Sequence, residues 1–188
     1  MQRDLVERAM AGDHDAFEEL TRVEIRRLYV VARLILRDEA KAEEATQEAM
    51  LAAWRRLRGL RDPDRFGPWM HRLLVNACYR EARKTGRRQS FEVHIDPLVF
   101  PDAENHVDTV AQLANRDQVE RGFRRLDVDQ RTVLVMHYYL GFSLDEAAEV
   151  LGVPPGTIRS RLHRAIEAMR AALEADARSP MFDTGRPA

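Results

Sequence analysis

Residues 69–88 read WMHRLLVNACYREARKTGRR. At 3.6 residues per turn, Met70, Leu73, Leu74 and Ala77 fall on one face of a helix, the stripe of an ordinary core contact. Trp69, Arg72, Asn76, Arg80, Arg83 and Arg87 fall on another, at spacings of three and four. That second face offers an aromatic plane, an amide that both donates and accepts, and positive charge alone. A surface that holds an unstacked base and its phosphates needs those parts. A plainer account fits the helix taken alone equally well: Trp69 half in the core and the arginines solvated.

A second constellation lies near the end of the chain, in SLDEAAEVLGVPPGTIRSRLHRAIEAM. Ser143 can cap a short helix, and Glu146 three residues on completes a capping box. Ala148 is small where two helices must cross. Gly152 suits the left-handed residue of a turn. Ile158 can plug back into the first helix, and Leu162, Ile166, Met169 and Leu173 continue one apolar stripe. A small residue, Gly four later and Ile six after that is the spacing of a helix-turn-helix. Ser160, His163 and Arg164 then face outward, flanked by Thr157, Arg159 and Arg161. Ser, His and Arg reach base edges, while Arg and Thr near a helix N-terminus suit phosphates.

These two faces need helices to carry them, and nearly all of the chain reads as helix. Ala16 to Leu36 has a periodic apolar face, with Asp13 or Asp15 placed to cap it. Asp38 can cap a second helix running to about Leu57. RGLRDPDRFGP is a turn-prone loop, and Pro68 fits the first turn of the Trp69 helix. Gly86 is a natural C-cap for it. Residues 88–112 lose the pattern and read as a linker with apolar residues such as Phe91, Ile95 and Phe100. Helices resume over Val110 to Leu126, Asp129 to Leu140, Ser143 to Leu151, and Pro155 to about Ala175. The fold class is all-α, with no convincing strand.

Composition narrows the functions. The chain has 188 residues, 45% hydrophobic and 32% charged, enough for one globular domain or two small ones. Its net charge of -1 conceals an asymmetry. Residues 1–88 carry 19 Lys and Arg against 15 Asp and Glu, whereas residues 89–119 carry 1 against 6. The lone cysteine, Cys78, excludes an internal disulfide and a multi-Cys zinc site. None of the six histidines has a Glu three positions upstream, the spacing of a helix-borne di-metal site. No phosphate loop or nucleophile motif appears, so neither cofactor nor metal nor catalytic residue is expected. No apolar run spans a membrane and no signal peptide is evident, which points to the cytoplasm.

PPGTIRSRLHRA resembles the region 4 signature of the extracytoplasmic-function (ECF) sigma factors of the sigma-70 family. LVERAMAGDHDAFEEL is similar to their N-terminal opening, EEATQEAMLAAW to region 2.2, and FGPWMHRLLVNACYREARK to regions 2.3 and 2.4. The resemblance covers residues 4–88 and 120–173, in family order, with no region 3 domain between. It departs at Ala45 and Thr46, where aliphatic residues are common, at Leu60, where some members have an aromatic, at the variable position of His163, and at LDVD before Gln130.

The resemblance implies a polymerase specificity subunit and not an enzyme. Residues 1–88 would be region 2, 89–112 a flexible linker, 113–175 region 4 and 176–188 a frayed tail. Glu44, Gln47 and Glu48 would face the clamp of core RNA polymerase. Leu60 and its loop, with Asn76, would accept a flipped base of the -10 element, and Trp69, Arg72, Arg80 and Arg83 would line that strand. Ser160, His163 and Arg164 would read the -35 duplex, with Thr157, Arg159 and Arg161 beside them on phosphates. Partners would be core polymerase, promoter DNA and an anti-sigma factor. The competing expectation is a self-contained helix-turn-helix repressor, with residues 1–88 as a ligand or dimer domain. Such a repressor has no use for an acidic, Gln-bearing helix beside the Asn76 face.

Overall fold

The structure is a computed structural model and describes residues 2–85 and 118–178. All regular structure among them is helical. The first half holds α1 (Gln2–Met10), α2 (His14–Leu36), α3 (Glu39–Arg56) and α4 (Phe66–Thr85). The second holds α5 (118–124), α6 (Val128–Leu134), α7 (Leu144–Leu151) and α8 (Pro155–Arg178). The linker, Gly86 and the tail beyond Arg178 lie outside the described residues.

Capping sets the starts. Asp13 accepts from the Ala16 N–H and opens α2; Asp38 accepts from the Lys41 N–H and opens α3. Ser143 and Glu146 form the expected capping box on α7. Asp127 and Gln130 form another on α6, which sequence reading did not single out. The prolines and aspartates of the loop between α3 and α4 build two single 3₁₀ turns, Leu57–Gly59 and Pro63–Arg65. As a result α4 begins at Phe66, with Pro68 still in its first turn.

The alanine-rich α3 has a structural reason. Ala42, Ala45, Ala49 and Ala53, at spacings of three and four, are all fully buried where α3 packs on α2 and α4. Small side chains there let helices approach closely, and Leu74, Val75, Ala77 and Cys78 of α4 complete that core. Ala45 and Thr46 therefore face inward, with the Thr46 hydroxyl donating to the Ala42 carbonyl at 2.7 Å. Gln47 and Glu48 are left on the outside. Burial pushes the Cys78 thiol up to about 12, as for a small core residue.

In the second half Ala148 and Ile158 are buried, and Gly152 caps α7 with φ 64°, ψ 36°. The three positions that define the helix-turn-helix thus each do the expected work. The helix expected over Asp129 to Leu140 ends differently: its last residues, Val135–Tyr139, widen into a π-turn.

The two halves touch. Arg37, a left-handed C-cap of α2 at φ 55°, pairs with Glu120 of α5 at 3.3 Å, both buried. Arg131 of α6 donates to the Ile35 carbonyl at 2.7 Å and to the Leu126 carbonyl. The last turn of α2 exposes carbonyls that no further helical N–H can satisfy, and a guanidinium suits them. Burial lowers Arg131 to about 10.

Candidate nucleic-acid interface

Helix α4 presents the two faces its spacing predicts. Met70, Leu73, Leu74 and Ala77 are buried. Asn76, Arg80 and Arg83 are exposed, and Trp69 and Arg72 are half-buried along the same side. Phe66 lies under Trp69, with ring centroids 6.1 Å apart, and holds the indole at the edge of the core.

Leu60 is buried. It forms part of the wall of a hollow of about 440 Å³, together with Arg61, Asp62, Arg65, Pro68, Trp69 and Arg72. The far wall comes from the second half of the chain: Phe142, Glu146 and Glu149. Glu149 Oε2 lies 3.0 Å from Arg72 Nη2.

The acidic residues of α3 stand against the basic ones of α4. Arg80 Nε lies 3.0 Å from Glu48 Oε1, and Lys84 Nζ lies 3.2 Å from Glu44 Oε1. Gln47 is exposed between them. One helical turn further on, Leu51 is 56% and Trp54 39% exposed on the same side of α3. Sequence reading passed over those two apolar residues, although the i, i+4, i+7 spacing from Gln47 placed them there.

On α8, Arg159, Ser160, His163 and Arg164 are exposed, and Thr157 is half-buried. The Ser160 hydroxyl donates to the Thr157 carbonyl, and Arg164 Nε donates to the Ser160 carbonyl at 3.3 Å. Arg161 differs from its neighbours. It is largely covered, pairs with Asp129 at 2.8 Å, and donates to the Tyr79 hydroxyl of α4 at 3.5 Å. Tyr79, Asp129 and Glu149 had no role in the sequence reading, because their partners lie in the other half or on another helix.

Comparison with known proteins follows the same division. A family model described as sigma-70 region 2 matches residues 20–88, and one described as sigma-70, region 4 matches residues 116–169. The ECF RNA polymerase sigma factor SigM of Mycobacterium tuberculosis is 36% identical over 156 residues, covering 83% of this chain and 76% of that protein. The chain belongs to the ECF sigma factors of the sigma-70 family. The RNA polymerase sigma-H factor of Pseudomonas aeruginosa is 30% identical, over 90% of this sigma factor and 92% of that one. Among solved structures, CnrH in complex with the cytosolic domain of CnrY superposes with a TM-score of 0.61 at 27% identity. That likeness covers 93% of this sigma factor and 98% of that chain.

Sigma factors are transcription initiation factors without catalysis of their own. The match of residues 20–88 to region 2 leaves the repressor reading without support, since that half belongs to the same family as the helix-turn-helix. No described helix is long and apolar enough to cross a membrane.

Proposed function

We propose that this sigma factor binds core RNA polymerase through Glu44, Gln47 and Glu48 and directs promoter-specific initiation without being an enzyme itself. Residues 1–88 serve polymerase binding and the -10 element, and residues 113–175 serve the -35 element. Residues 89–112 are the linker between them, and 176–188 a tail. The work is cytoplasmic, on DNA and polymerase.

The division of labour follows from side-chain chemistry. Leu60 and Asn76 accept a flipped base, and Trp69, Arg72, Arg80 and Arg83 hold its strand. Unstacking costs a few kcal/mol, which the pocketed base and the phosphate contacts offset. Ser160, His163 and Arg164 read the -35 duplex, while Thr157, Arg159 and Arg161 hold its phosphates. An anti-sigma factor is a further partner, by analogy with the complex of CnrH and the cytosolic domain of CnrY.

The observation that supports this reading is the pairing of an acidic α3 row with the basic α4 row, two of whose members, Trp69 and Arg72, line the hollow at Leu60. The test is reconstitution: the purified chain is added to core polymerase and run-off transcripts are mapped on a genomic promoter library. Transcripts that start at sites sharing -35 and -10 sequences are expected. Failure to bind core polymerase, or initiation without such shared sequences, defeats the proposal.

A further inference from the structure

The stretch ARLILRDEA sets Arg33 and Arg37 four residues apart, one turn along one side of α2. Both are buried, Arg33 at 8% and Arg37 at 6% exposure. A guanidinium keeps its charge at any ordinary pH, so a buried one must be met by acceptors and by negative charge. Where the end of α2 meets α5 and α6, that requirement is only partly met. Arg33 Nη1 and Arg37 Nη1 are closed off from solvent and make no hydrogen bond. Arg33 Nη1 lies 2.8 Å from Glu39 Oε1, but without hydrogen-bond alignment, and the Glu39 side chain is 58% exposed. One carboxylate, Glu120, serves two guanidiniums, Arg37 at 3.3 Å and Arg124 at 2.8 Å. A further one, Arg131, is spent on the carbonyls of Ile35 and Leu126. Burial lowers the proton affinity of Arg37; Glu120 opposes this, and the neighbouring Arg124 and Arg33 add to it.

The backbone is strained at the same point. Among the described residues Arg37 is the one non-glycine with a positive φ, 55°, a conformation that glycine adopts freely and a bulky side chain resists. Strain of this kind persists where the surroundings hold a side chain in place, and ligand clamps are one such setting. We propose that Arg33 and Arg37 form a binding site for a compact tetrahedral oxyanion, free inorganic phosphate, at the end of α2. Phosphate oxygens accept from both Nη1 groups at once, and guanidiniums match them in shape and charge. Its charge offsets the crowding of Arg33, Arg37 and Arg124 around one shared carboxylate. Its small size suits a site whose two arginine side chains are 9% and 5% exposed. None of these residues has a proposed part in polymerase or DNA binding, so the site stands apart from those assignments.

The test is calorimetric titration of inorganic phosphate into the full chain, freed of phosphate and sulfate and held at constant ionic strength with chloride. One phosphate per chain is expected, half-saturating at about 1 mM or below. Sulfate should compete and chloride should not. Arg33→Gln and Arg37→Gln should each weaken phosphate roughly tenfold or more, whereas Arg170→Gln, at an exposed arginine of α8, should leave it as in the parent chain. Phenyl phosphate carries the same group on a bulky body and should bind at least about tenfold more weakly than the free ion. Half-saturation only near about 100 mM, or competition by chloride as effective as by sulfate, would mean an adventitious ion only and overturn the site. An unchanged affinity in Arg33→Gln and Arg37→Gln overturns the assigned residues, and phenyl phosphate binding as tightly as phosphate overturns the choice of the free ion. Should a variant fail to fold, the parent chain decides through its stoichiometry and the contrast between sulfate and chloride.

Discussion

Arg80 Nε and Glu48 Oε1 stand 3.0 Å apart, so a cation of the proposed strand face and a carboxylate of the proposed polymerase face hold each other. Lys84 and Glu44 repeat the arrangement one turn along. On the proposed assignments, a polymerase surface that takes up Glu48 would release Arg80 for DNA, so docking and strand capture would share one ion pair.

The first prediction tests that face. Gln47→Ala with Glu48→Lys should weaken binding to core polymerase roughly tenfold or more. The melting temperature should move little, because a pair this exposed is worth only about 0.2–1 kcal/mol. Titration of labelled core polymerase, beside a thermal melt, measures both. A double variant that titrates as the parent chain does would remove these residues from the interface.

Asn76→Ala separates opening DNA from binding it closed. Asn is a poor mid-helix residue, since its amide competes for backbone partners, so the helix should be at least as stable without it. Core binding and -35 duplex binding should persist, and open-complex formation should slow. Permanganate footprinting on duplex and on a pre-melted -10 bubble is the measurement. Part of the defect should remain on the bubble, because the base pocket itself is damaged. Duplex promoters opening at the parent rate would make Asn76 a solvated residue.

On α8, Arg164→Ala should cost roughly 1–3 kcal/mol and relax preference at one or two base pairs. Arg159→Ala should weaken all sequences alike and lower the salt slope. Selection from a randomised -35 library distinguishes the two, and an unchanged preference with Arg164→Ala would refute base reading.

Much of this was legible in the residues. Asp13, Asp38 and Ser143 announced helix starts because a cap is a local event, decided within three residues. Ala148, Gly152 and Ile158 announced the helix-turn-helix because packing and turn geometry demand fixed spacing. The face of α4 was legible for the same reason, a period of 3.6. Arg37–Glu120, Arg72–Glu149 and Arg161–Tyr79 were not, since each joins residues at least 77 positions apart. A chain with 30 basic and 31 acidic residues offers too many equivalent pairings to choose from. Arg131 was less visible still, because its partner is the backbone carbonyl of Ile35, which no side-chain pattern records. The helical α1 and the widened turn at Val135–Tyr139 also escaped reading; both depend on what they pack against.

Acid should loosen the first half through His71. Burial lowers its proton affinity below the ordinary 6.5, and nearby Arg27 adds to this. The unfolded chain takes up that proton as pH falls through 6.5, while the folded chain resists, so stability declines below that point. Above it both states are neutral and the effect vanishes. Melts from about pH 5 to 7.5 should show His71→Gln with a flatter acid limb than the parent chain. Parallel limbs would refute the assignment.

Gly152→Ala tests the turn. A Cβ there meets nothing within 4 Å, so any loss reports backbone conformation at φ 64° alone. About 1–2 kcal/mol is expected. Gly59→Ala, which also meets nothing and has no positive φ, should be near neutral. Chemical denaturation of both variants is the check; equal effects would discount the left-handed requirement.

The π-turn gives chain length a meaning of its own. The Leu140 N–H reaches the Val135 carbonyl, and the Phe142 N–H reaches the Met136 carbonyl, each at 2.9 Å. Such a turn is an α-helix holding one residue more than its pitch accommodates. Deleting a single residue between 135 and 139 would let ordinary helical bonds close and leave α6 locally content. The chain after it would keep its place, because the wide turn alone carries the extra residue. Phe142 would stay at the hollow, and α8 would keep its angle to α4. A one-residue difference in length between relatives is absorbed in this stretch, where the same deletion in a regular helix would turn everything after it by about 100°.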